Sequence, residues 1–305
     1  MIDVTKFNSL FELMEAFPDE DSCIEYIERL RWPNGVVSPY NPSSKVYKLG
    51  NHQYYCKNTE RIFNVRTGTI FSNTKLPLRK WSMAIWLVLS NKKGISSMQL
   101  ARDVQVTQKT AWYLLHRIRL CLGCKNESTL QGEVECDETF VGGKNKNRHR
   151  DKKVKYSQGR SFKDKTPVFG MLQRGGDVVA KVVKDTSGRE LSPNILRYVA
   201  PNTMLYTDEW RGYQNVDKYY DHYFVDHGRK QYADGNVYTN TIEGFWSILK
   251  RGIIGIYHYT SRKHLQNYVN EFVFRYNTRK IDDRAKFNLL LCNTEYRLTY
   301  KELVA

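Results

Sequence analysis

The chain has 305 residues, of which 41% are hydrophobic and 26% are charged. These fractions are ordinary for folded globular proteins and exclude a mostly disordered chain. Lys and Arg number 48 against 32 Asp and Glu, and the resulting net charge of +16 favours a polyanionic partner such as nucleic acid.

The sequence also bears on where the protein works. No apolar run approaches the roughly 20 residues that a membrane-spanning helix needs, so we expect no membrane partner. The first residues lack the basic region and apolar block of a secretory signal. Six scattered cysteines do not form a dense disulfide framework. We therefore expect a cytoplasmic protein with reduced thiols.

The N-terminal part of the chain changes character three times. Residues 1–31 carry apolar side chains at helical spacing and predict two short helices. Residues 32–76 consist of short β-prone runs separated by Pro, Gly, Asn and Ser, which predict a small sheet of hairpins. Residues 77–125 predict one helix and then a helix-turn-helix over 95–122, in which Thr107 caps the second helix.

The second helix of this pattern is a candidate for binding in the major groove of DNA. Several polar side chains are expected to point outward from it, namely Gln108, Lys109, Tyr113, Arg117 and Arg119. An ordinary pair of antiparallel helices has the same pattern and stays open as the alternative.

From residue 131 the pattern becomes α/β. Residues 131–280 predict a mixed sheet with helices packed on its faces, and residues 281–305 are interpreted as a C-terminal tail. A basic insertion at 144–165 holds ten Lys and Arg against two Asp. We expect it to bind backbone phosphates without reading sequence, through side chains that include Lys144, Lys146, Arg148, Arg150, Lys152 and Lys153.

Three acidic residues have positions suited to metal chemistry. Asp137 lies in a predicted strand, Asp208 follows another, and Glu243 lies in the first turn of a predicted helix. Carboxylates of neighbouring strands can converge at one edge of a sheet. Three like charges together need a cation, and oxygen ligands favour Mg²⁺ or Mn²⁺. Because the chain has 32 acids, this choice is one of many triples.

Two further residues, Lys250 and Glu138, lie near these acids in the sequence. Lys250 follows Glu243 by seven residues, about two helical turns, so both face the same way and the lysine could hold a phosphate. The same spacing also arises by coincidence on a solvated helix face. Glu138 adjoins Asp137 but should point to the opposite face of the strand, so we do not expect it in the site.

Several long segments resemble the catalytic segments of bacterial insertion-sequence DDE transposases, the group related to the eukaryotic Merlin elements. They read VECDETFVGGK, LYTDEWRGY and VYTNTIEGFWSILKRGIIGIYHYTSRKHLQNYVNEFVFRYNTR, with RWPNGVV and GTIFSNTKLPLRKW upstream. The resemblance implies an α/β, ribonuclease H-like catalytic domain over 131–280. It implies that Asp137, Asp208 and Glu243 are the metal-binding triad and that Lys250 is the basic residue after the third acid. The 34 residues between Asp208 and Glu243 are typical of this superfamily.

The resemblance also implies an activity. Two Mg²⁺ or Mn²⁺ ions would assist water in cleaving the phosphodiester at the element end, and the freed 3′-hydroxyl would attack target DNA. The helix-turn-helix would read the terminal inverted repeats. Since two ends must be joined, a homodimer or larger assembly is expected on the nucleoid. Asn240, about one turn before Glu243, and His227 are accessory candidates.

One departure from the family concerns its N-terminal zinc ribbon. Relatives carry two Cys-x-x-Cys knuckles, whereas the corresponding pairs here are Ser38 with Asn41 and Cys56 with Thr59. A structural zinc site needs four N or S ligands. We therefore expect a ribbon-like subdomain over 32–76 without zinc. Its expected aromatic support is Tyr40, Tyr47, Tyr54, Tyr55 and Phe63.

Two alternatives stay open beside the transposase. One is a catalytically silent or domesticated DNA-binding protein, which the lost zinc ligands favour slightly. The other is a nuclease of the same fold that cleaves DNA without strand transfer.

Overall fold

The computed structural model describes residues 7–123, 128–143, 149–155, 161–213, 216–225 and 238–305. The chain divides into two compact units, one of Met1–Cys124 with Lys280–Ala305 and one of Lys125–Arg279. Within the described ranges, no helix is both long and apolar enough to cross a membrane.

The described helices and strands are numbered in chain order. The helices are α1 (Leu10–Ala16), α2 (Glu20–Arg31), α3 (Leu78–Ser90), α4 (Ser97–Val104), α5 (Gln108–Gly123), α6 (Gly188–Tyr198), α7 (Asn240–Gly252), α8 (Leu265–Asn277), α9 (Asp283–Leu291) and α10 (Tyr300–Val304). The strands are β1 (Val46–Lys48), β2 (Tyr54–Cys56), β3 (Arg61–Phe63), β4 (Glu133–Val141), β5 (Thr166–Gln173), β6 (Val178–Val182), β7 (Met204–Asp208) and β8 (Asp221–Val225).

An aromatic cluster forms the core of the first unit. Phe7 lies at its centre, with ring centroids 5.8 Å from Phe17, 5.6 Å from Trp86 and 5.5 Å from Phe287. Phe287 belongs to α9, whose buried residues recur at helical spacing. Residues 280–305, which include the C-terminal tail predicted over 281–305, are thus part of this unit.

Strands β1, β2 and β3 form an antiparallel sheet in the region where a zinc-free ribbon is expected. Its buried residues are Tyr54, Cys56 and Phe63. Tyr40 and Tyr47 are 39% and 40% exposed, and their ring centroids lie 6.4 Å from those of Phe63 and Tyr55 respectively. These short strands bury too few positions to cover every aromatic side chain.

Hydrogen bonds hold the two turns that correspond to the Cys-x-x-Cys pairs of the family resembled above. The buried Ser38 Oγ accepts from the backbone N–H groups of Tyr40 at 3.2 Å and Asn41 at 3.4 Å. Ser44 Oγ accepts from the N–H of Asn58 at 3.0 Å. Hydroxyl groups therefore satisfy backbone donors in both turns.

Helices α4 and α5 occupy the region predicted as a helix-turn-helix. Ser96 caps α4 by accepting from Gln99 N at 3.1 Å, and Thr107 Oγ1 accepts from Thr110 N at 3.2 Å. Gln105 between the helices has a positive φ of 54°, which reverses the chain. The two helices and the capping role of Thr107 agree with the sequence.

The orientation predicted for two arginines of α5 is wrong. Arg117 and Arg119 are 3% and 1% exposed rather than outward-facing. The Arg117 guanidinium donates to the carbonyls of Ile70 at 2.6 Å, Ser72 at 3.0 Å and Leu298 at 3.1 Å. The reason is that α5 is covered on several sides, including by residues near the C-terminus, which local spacing does not reveal.

The second unit is a mixed α/β structure built on a five-stranded sheet in the order β6-β5-β4-β7-β8. Strand β5 pairs antiparallel with β4 and β6. Strand β7 pairs parallel with β4 and β8. The chain therefore brings β4 and β7, which are more than sixty positions apart in sequence, side by side in the centre of the sheet.

Helices cover both faces of this sheet. On one face, α6 packs through Leu191 and Ile195 against Val134 and Cys136 of β4. On the other, α7 and α8 pack against alternate residues of β5 and β6, with Trp246 among the buried side chains. Because side chains alternate along a strand, Glu135 and Asp137 lie on the α7 face of β4. Both faces of the sheet are thus buried.

Candidate active site

Asp137, in the middle of β4, and Asp208, the last residue of β7, meet just beyond the point where the parallel pairing of these two strands stops. The pairing of β4 with β7 aligns Glu135 with Tyr206, and each aspartate lies two residues further along its strand. Their carboxylate oxygens lie within 4.8 Å of each other. The parallel register thus places the two aspartates at the same level of the sheet, which explains the convergence predicted from the sequence.

Glu138 joins these two aspartates, contrary to the sequence analysis. One carboxylate oxygen from each of Asp137, Glu138 and Asp208 lies within 4.8 Å of the other two. Strand β7 ends at Asp208, and its last residue paired with β4 is Tyr206. Glu138 therefore has no paired β7 residue beside it, and its carboxylate can approach the two aspartates although it starts from the other face of the sheet. The hydroxyl of buried Tyr213, just after β7, donates to Glu138. The alternation of side chains along β4 correctly predicts which face Glu138 lies on. It does not predict that the Glu138 carboxylate extends to Asp208 beyond the end of β7.

The environment of Asp137 disfavours its ionised form. Burial, and next the neighbouring carboxylate of Asp208, raise its pKa to about 6 from an ordinary value of 3.8. Trp246 Nε1 donates to Asp137 Oδ2 at 2.9 Å and opposes this effect. The backbone N–H of Trp210 donates to Asp208 Oδ1 at 3.0 Å. Hydrogen-bond donors, including the backbone N–H of Glu138 for Asp137, thus orient the two aspartates while their carboxylates repel each other.

Helix α7 carries the other predicted catalytic residues. Glu243 lies in its first turn, exposed, and three residues before Trp246, on the neighbouring turn of the same side. Its carboxylate is near enough to contribute to the raised pKa of Asp137, although it lies outside the 4.8 Å group. Lys250 and Asn240 are exposed at the two ends of α7. The structure therefore brings Glu243 toward the two aspartates, with Glu138 closer.

A buried carboxylate that the sequence analysis did not single out holds the start of α7. Glu135 is 0% exposed and lies two residues before Asp137 on the same face of β4. It accepts from Ile242 N and Thr241 Oγ1, both at 2.9 Å, and from Arg174 Nε at 2.8 Å. In the sequence, the only sign that Glu135 could hold α7 is its position within a predicted strand. That sign is not specific, because many acidic residues lie in predicted strands.

The candidate DNA-binding residues have varied surroundings. Gln108 and Lys109 are exposed at the start of α5, where Gln108 Nε2 donates to Ser97 Oγ at 2.9 Å. The Tyr113 hydroxyl donates to the carbonyl of Leu298. Arg150 and Lys153 of the basic insertion are exposed, and Lys152 ends a short 3₁₀ helix. Four predicted site residues lie outside the described residues, namely His227, Lys144, Lys146 and Arg148.

Comparison with known proteins identifies the second unit. Residues 129–277 match the family model described as the ISXO2-like transposase domain. This range spans nearly the whole unit and includes all the acidic residues described above.

Individual proteins are similar over longer or shorter ranges. An uncharacterized protein in transposable element ISH50 of Halobacterium salinarum is 28% identical over 278 residues, covering 86% of this chain and 92% of that protein. An uncharacterized transposase-like protein of Haemophilus influenzae is 29% identical over 105 residues, covering 34% of this chain and 84% of that protein.

Among solved structures, the Mos1 strand transfer complex covers 68% of this chain and 73% of its own, at 12% identity and a TM-score of 0.28. This similarity is too low to support a structural argument. The sequence matches and the mixed α/β unit agree with the resemblance found in the catalytic segments. Residues 129–277 are an ISXO2-like transposase domain, and the sequence matches support an insertion-sequence transposase of the DDE class.

Proposed function

We propose that this transposase hydrolyses a phosphodiester at each end of its element and then joins the freed 3′-hydroxyl to target DNA. The observation that supports this most directly is the convergence of Asp137 and Asp208 on the adjacent parallel strands β4 and β7, with Glu138 beside them. The five-stranded mixed sheet with helices on both faces supports the expected ribonuclease H-like fold.

The chemistry of the donor set fits a hard divalent cation. All three clustered side chains offer oxygen, which Mg²⁺ and Mn²⁺ prefer. The pKa of Asp137 is raised by burial and next by repulsion from Asp208, and a bound cation would offset both. We assign metal binding to Asp137 and Asp208, with Glu243 as the third acid and Glu138 as its rival. Two bound ions would supply activation of the attacking oxygen and stabilisation of the leaving oxygen.

The protein's own residues would orient this chemistry. Trp246 fixes the position of the Asp137 carboxylate through its Nε1 donor. Lys250 offers an exposed positive charge on the helix that carries Glu243, where it would pair with a phosphate of the DNA backbone. Asn240, exposed at the first position of α7, would approach the same DNA strand.

Binding of DNA is assigned to two regions. Gln108 and Lys109 are exposed at the N-terminus of α5, the end of a recognition helix that contacts bases. The basic residues of 144–165 would bind phosphates. Because two ends are joined in one reaction, we propose a homodimer or larger assembly, acting on the nucleoid in the cytoplasm.

The decisive experiment is cleavage and strand transfer on DNA that carries the inverted repeats flanking the gene. Wild-type protein with Mg²⁺ should cleave the ends and join them to a target plasmid. In Asp208→Asn the rates of both reactions should fall by at least ~100-fold while DNA binding is retained, because Asp137 and residue 208 can no longer bind a cation between two carboxylates. Inactive wild type would favour the silent DNA-binding alternative, and cutting without joining would favour the nuclease.

A pair of variants separates the two candidates for the third acid. Glu243→Gln should abolish cleavage, whereas Glu138→Gln should retain part of it if Glu138 only shapes the site. Loss of activity in Glu138→Gln with retention in Glu243→Gln would reverse the assignment. Binding of the end DNA, measured in the absence of divalent ions, is the control for both variants.

A further inference from the structure

The carboxylate of Glu135 lies fully buried between the sheet and the first turn of α7. Its Oε2 accepts from the backbone N–H of Ile242 at 2.9 Å. Its Oε1 accepts from Thr241 Oγ1 at 2.9 Å and from Arg174 Nε at 2.8 Å. A buried carboxylate is costly unless it is paired and hydrogen-bonded, and here three donors satisfy it.

Arg174 provides the opposite charge and extends the attachment to the residues before the helix. Its guanidinium carbon lies 4.0 Å from the ring centroid of Tyr206 and 3.8 Å from that of Tyr238. Its Nη2 donates to the Tyr238 carbonyl at 2.8 Å. One buried ion pair therefore binds both the entry to α7 and its first turn.

Helix α7 begins without a hydrogen bond from the side chain of its own N-cap residue. Thr239 is the N-cap residue, and its side chain makes no capping hydrogen bond. Glu135 instead supplies the acceptor for one of the unsatisfied N–H groups and places negative charge at the helix N-terminus. The anchored residue, Ile242, is directly followed by Glu243.

A second attachment lies one turn further along the helix. Trp246 Nε1 donates to Asp137 Oδ2 at 2.9 Å, so Glu243 lies between two points that fix α7 to β4. Both attachments lie on one strand, two residues apart, because Glu135 and Asp137 share a face. Loss of either should let the first turn of α7 shift or rotate against the strand.

We propose that Glu135 is a positioning residue that sets the first turn of α7 and so places Glu243 beside Asp137. This inference rests on the proposed metal-dependent cleavage. Glu135 has no direct part in the chemistry, since its oxygens are taken by Arg174, Thr241 and Ile242.

Glu135→Gln tests this role with little change in volume. A glutamine has one acceptor oxygen and an NH₂ donor, so it cannot accept from both Ile242 N and Arg174 Nε. Glu133→Gln is the matched control, because Glu133 lies on the same face of β4 and 3.4 Å from Arg174 Nη1 but is bonded to Arg174 and Tyr206, not to α7.

Three measurements on the full chain read the effect. In Glu135→Gln, Mn²⁺ binding followed by electron paramagnetic resonance should weaken by ~10-fold, as expected when a supporting side chain around a metal site is removed. The kcat for end cleavage should fall while the KM for DNA stays within about twofold, because the chemistry and not the DNA contact is displaced. Hydrogen exchange at the Ile242 amide should accelerate. Glu133→Gln should resemble wild type in all three.

Thr241 provides a second route if Glu135→Gln does not fold, as judged from its thermal midpoint. Thr241→Val removes one hydrogen bond to Glu135 with similar volume and should produce a smaller loss of Mn²⁺ affinity and kcat. Thr241→Ser restores the hydroxyl and should restore both quantities.

The outcomes separate this inference from the proposed function. Wild-type Mn²⁺ binding and cleavage that survive unchanged in Glu135→Gln and Thr241→Val would overturn the positioning role and leave the function intact. Equal losses in Glu133→Gln would also overturn it, because they would indicate a general effect of charge around Arg174. If wild type neither binds Mn²⁺ nor cleaves DNA, the proposed function fails and the positioning role fails with it.

Discussion

The ionised form of Asp137 lowers the free energy of unfolding, and the size of this effect depends on pH. Burial, and then the carboxylate of Asp208, raise its pKa to about 6, whereas in the unfolded chain it should titrate near its ordinary value of 3.8. Between these values the folded state holds a proton that the unfolded state has released. The metal-free protein should therefore lose stability as pH rises from about 4 to about 6, and the cost should persist at higher pH.

Asp137→Asn should accordingly stabilise the metal-free protein at pH 8 by about 1–3 kcal/mol while abolishing catalysis. The amide oxygen can still accept from Trp246 Nε1, so the geometry is retained. The measurement is urea unfolding in EDTA at pH 8 and pH 4.5, with the difference between the two proteins expected to shrink at the lower pH. A variant that is less stable than wild type at pH 8 would contradict this account.

Single residues also indicate how far the sequence can predict the site. Asp137 and Asp208 were predictable because each lies in or at the end of a run of strand-forming residues, and the parallel pairing of those two strands places them at the same level of the sheet. Glu138 was excluded by alternation, which does not register where the neighbouring strand ends. Glu135 was not identified, because its partners Arg174 and Ile242 lie 39 and 107 residues away.

At the scale of secondary structure, α7 and β5 approach each other closely at one glycine. Gly170 on β5 lies opposite Asp137, and a Cβ atom built on it would lie 2.5 Å from the Trp246 ring. Such a contact requires the Trp246 ring, or the helix that carries it, to move. The absence of a side chain at Gly170 therefore lets Trp246 reach Asp137.

Gly170→Ala should destabilise the protein by ~1–3 kcal/mol and reduce cleavage, since overpacking displaces the helix that carries Glu243. Gly244→Ala is the matched control on α7, where a Cβ would meet nothing within 4 Å. That substitution should stabilise by about 0.5–1 kcal/mol, as Ala replaces Gly inside a helix. Urea unfolding of both variants checks the signs, and a neutral Gly170→Ala would show that Trp246 adapts.

Secondary structure was more predictable than the surroundings of each element. The spacing around Ser96 and Thr107 gave the positions of α4 and α5, because caps and apolar periodicity are local signals. The burial of Arg117 was not predictable, since it depends on carbonyls from residues 70, 72 and 298. The same limit applies to α9, whose apolar face is explained only by its partners in the first unit.

Over the whole molecule, the dominant electrostatic feature is the excess of positive charge. The net charge is +16, and the 22 residues from 144 to 165 contribute +8 of it. Neutralising DNA phosphates releases bound cations, so affinity should fall steeply as salt is raised. Contacts to phosphate do not depend on base sequence, so this segment should strengthen binding to any duplex equally.

Arg150 and Lys153, both exposed, allow a test of this property. The double variant R150A/K153A should lower the slope of log K against log salt by about 2, since each phosphate contact contributes roughly 0.9. The loss should be equal for duplexes with and without the terminal repeat, as measured by fluorescence anisotropy over a range of KCl concentrations. The double variant K184A/K218A provides a control, because it replaces two exposed lysines and changes the net charge by the same amount.

An equal change of slope in that control would mean that total charge, rather than the basic segment, determines affinity. A loss confined to the repeat duplex would instead assign base recognition to this segment.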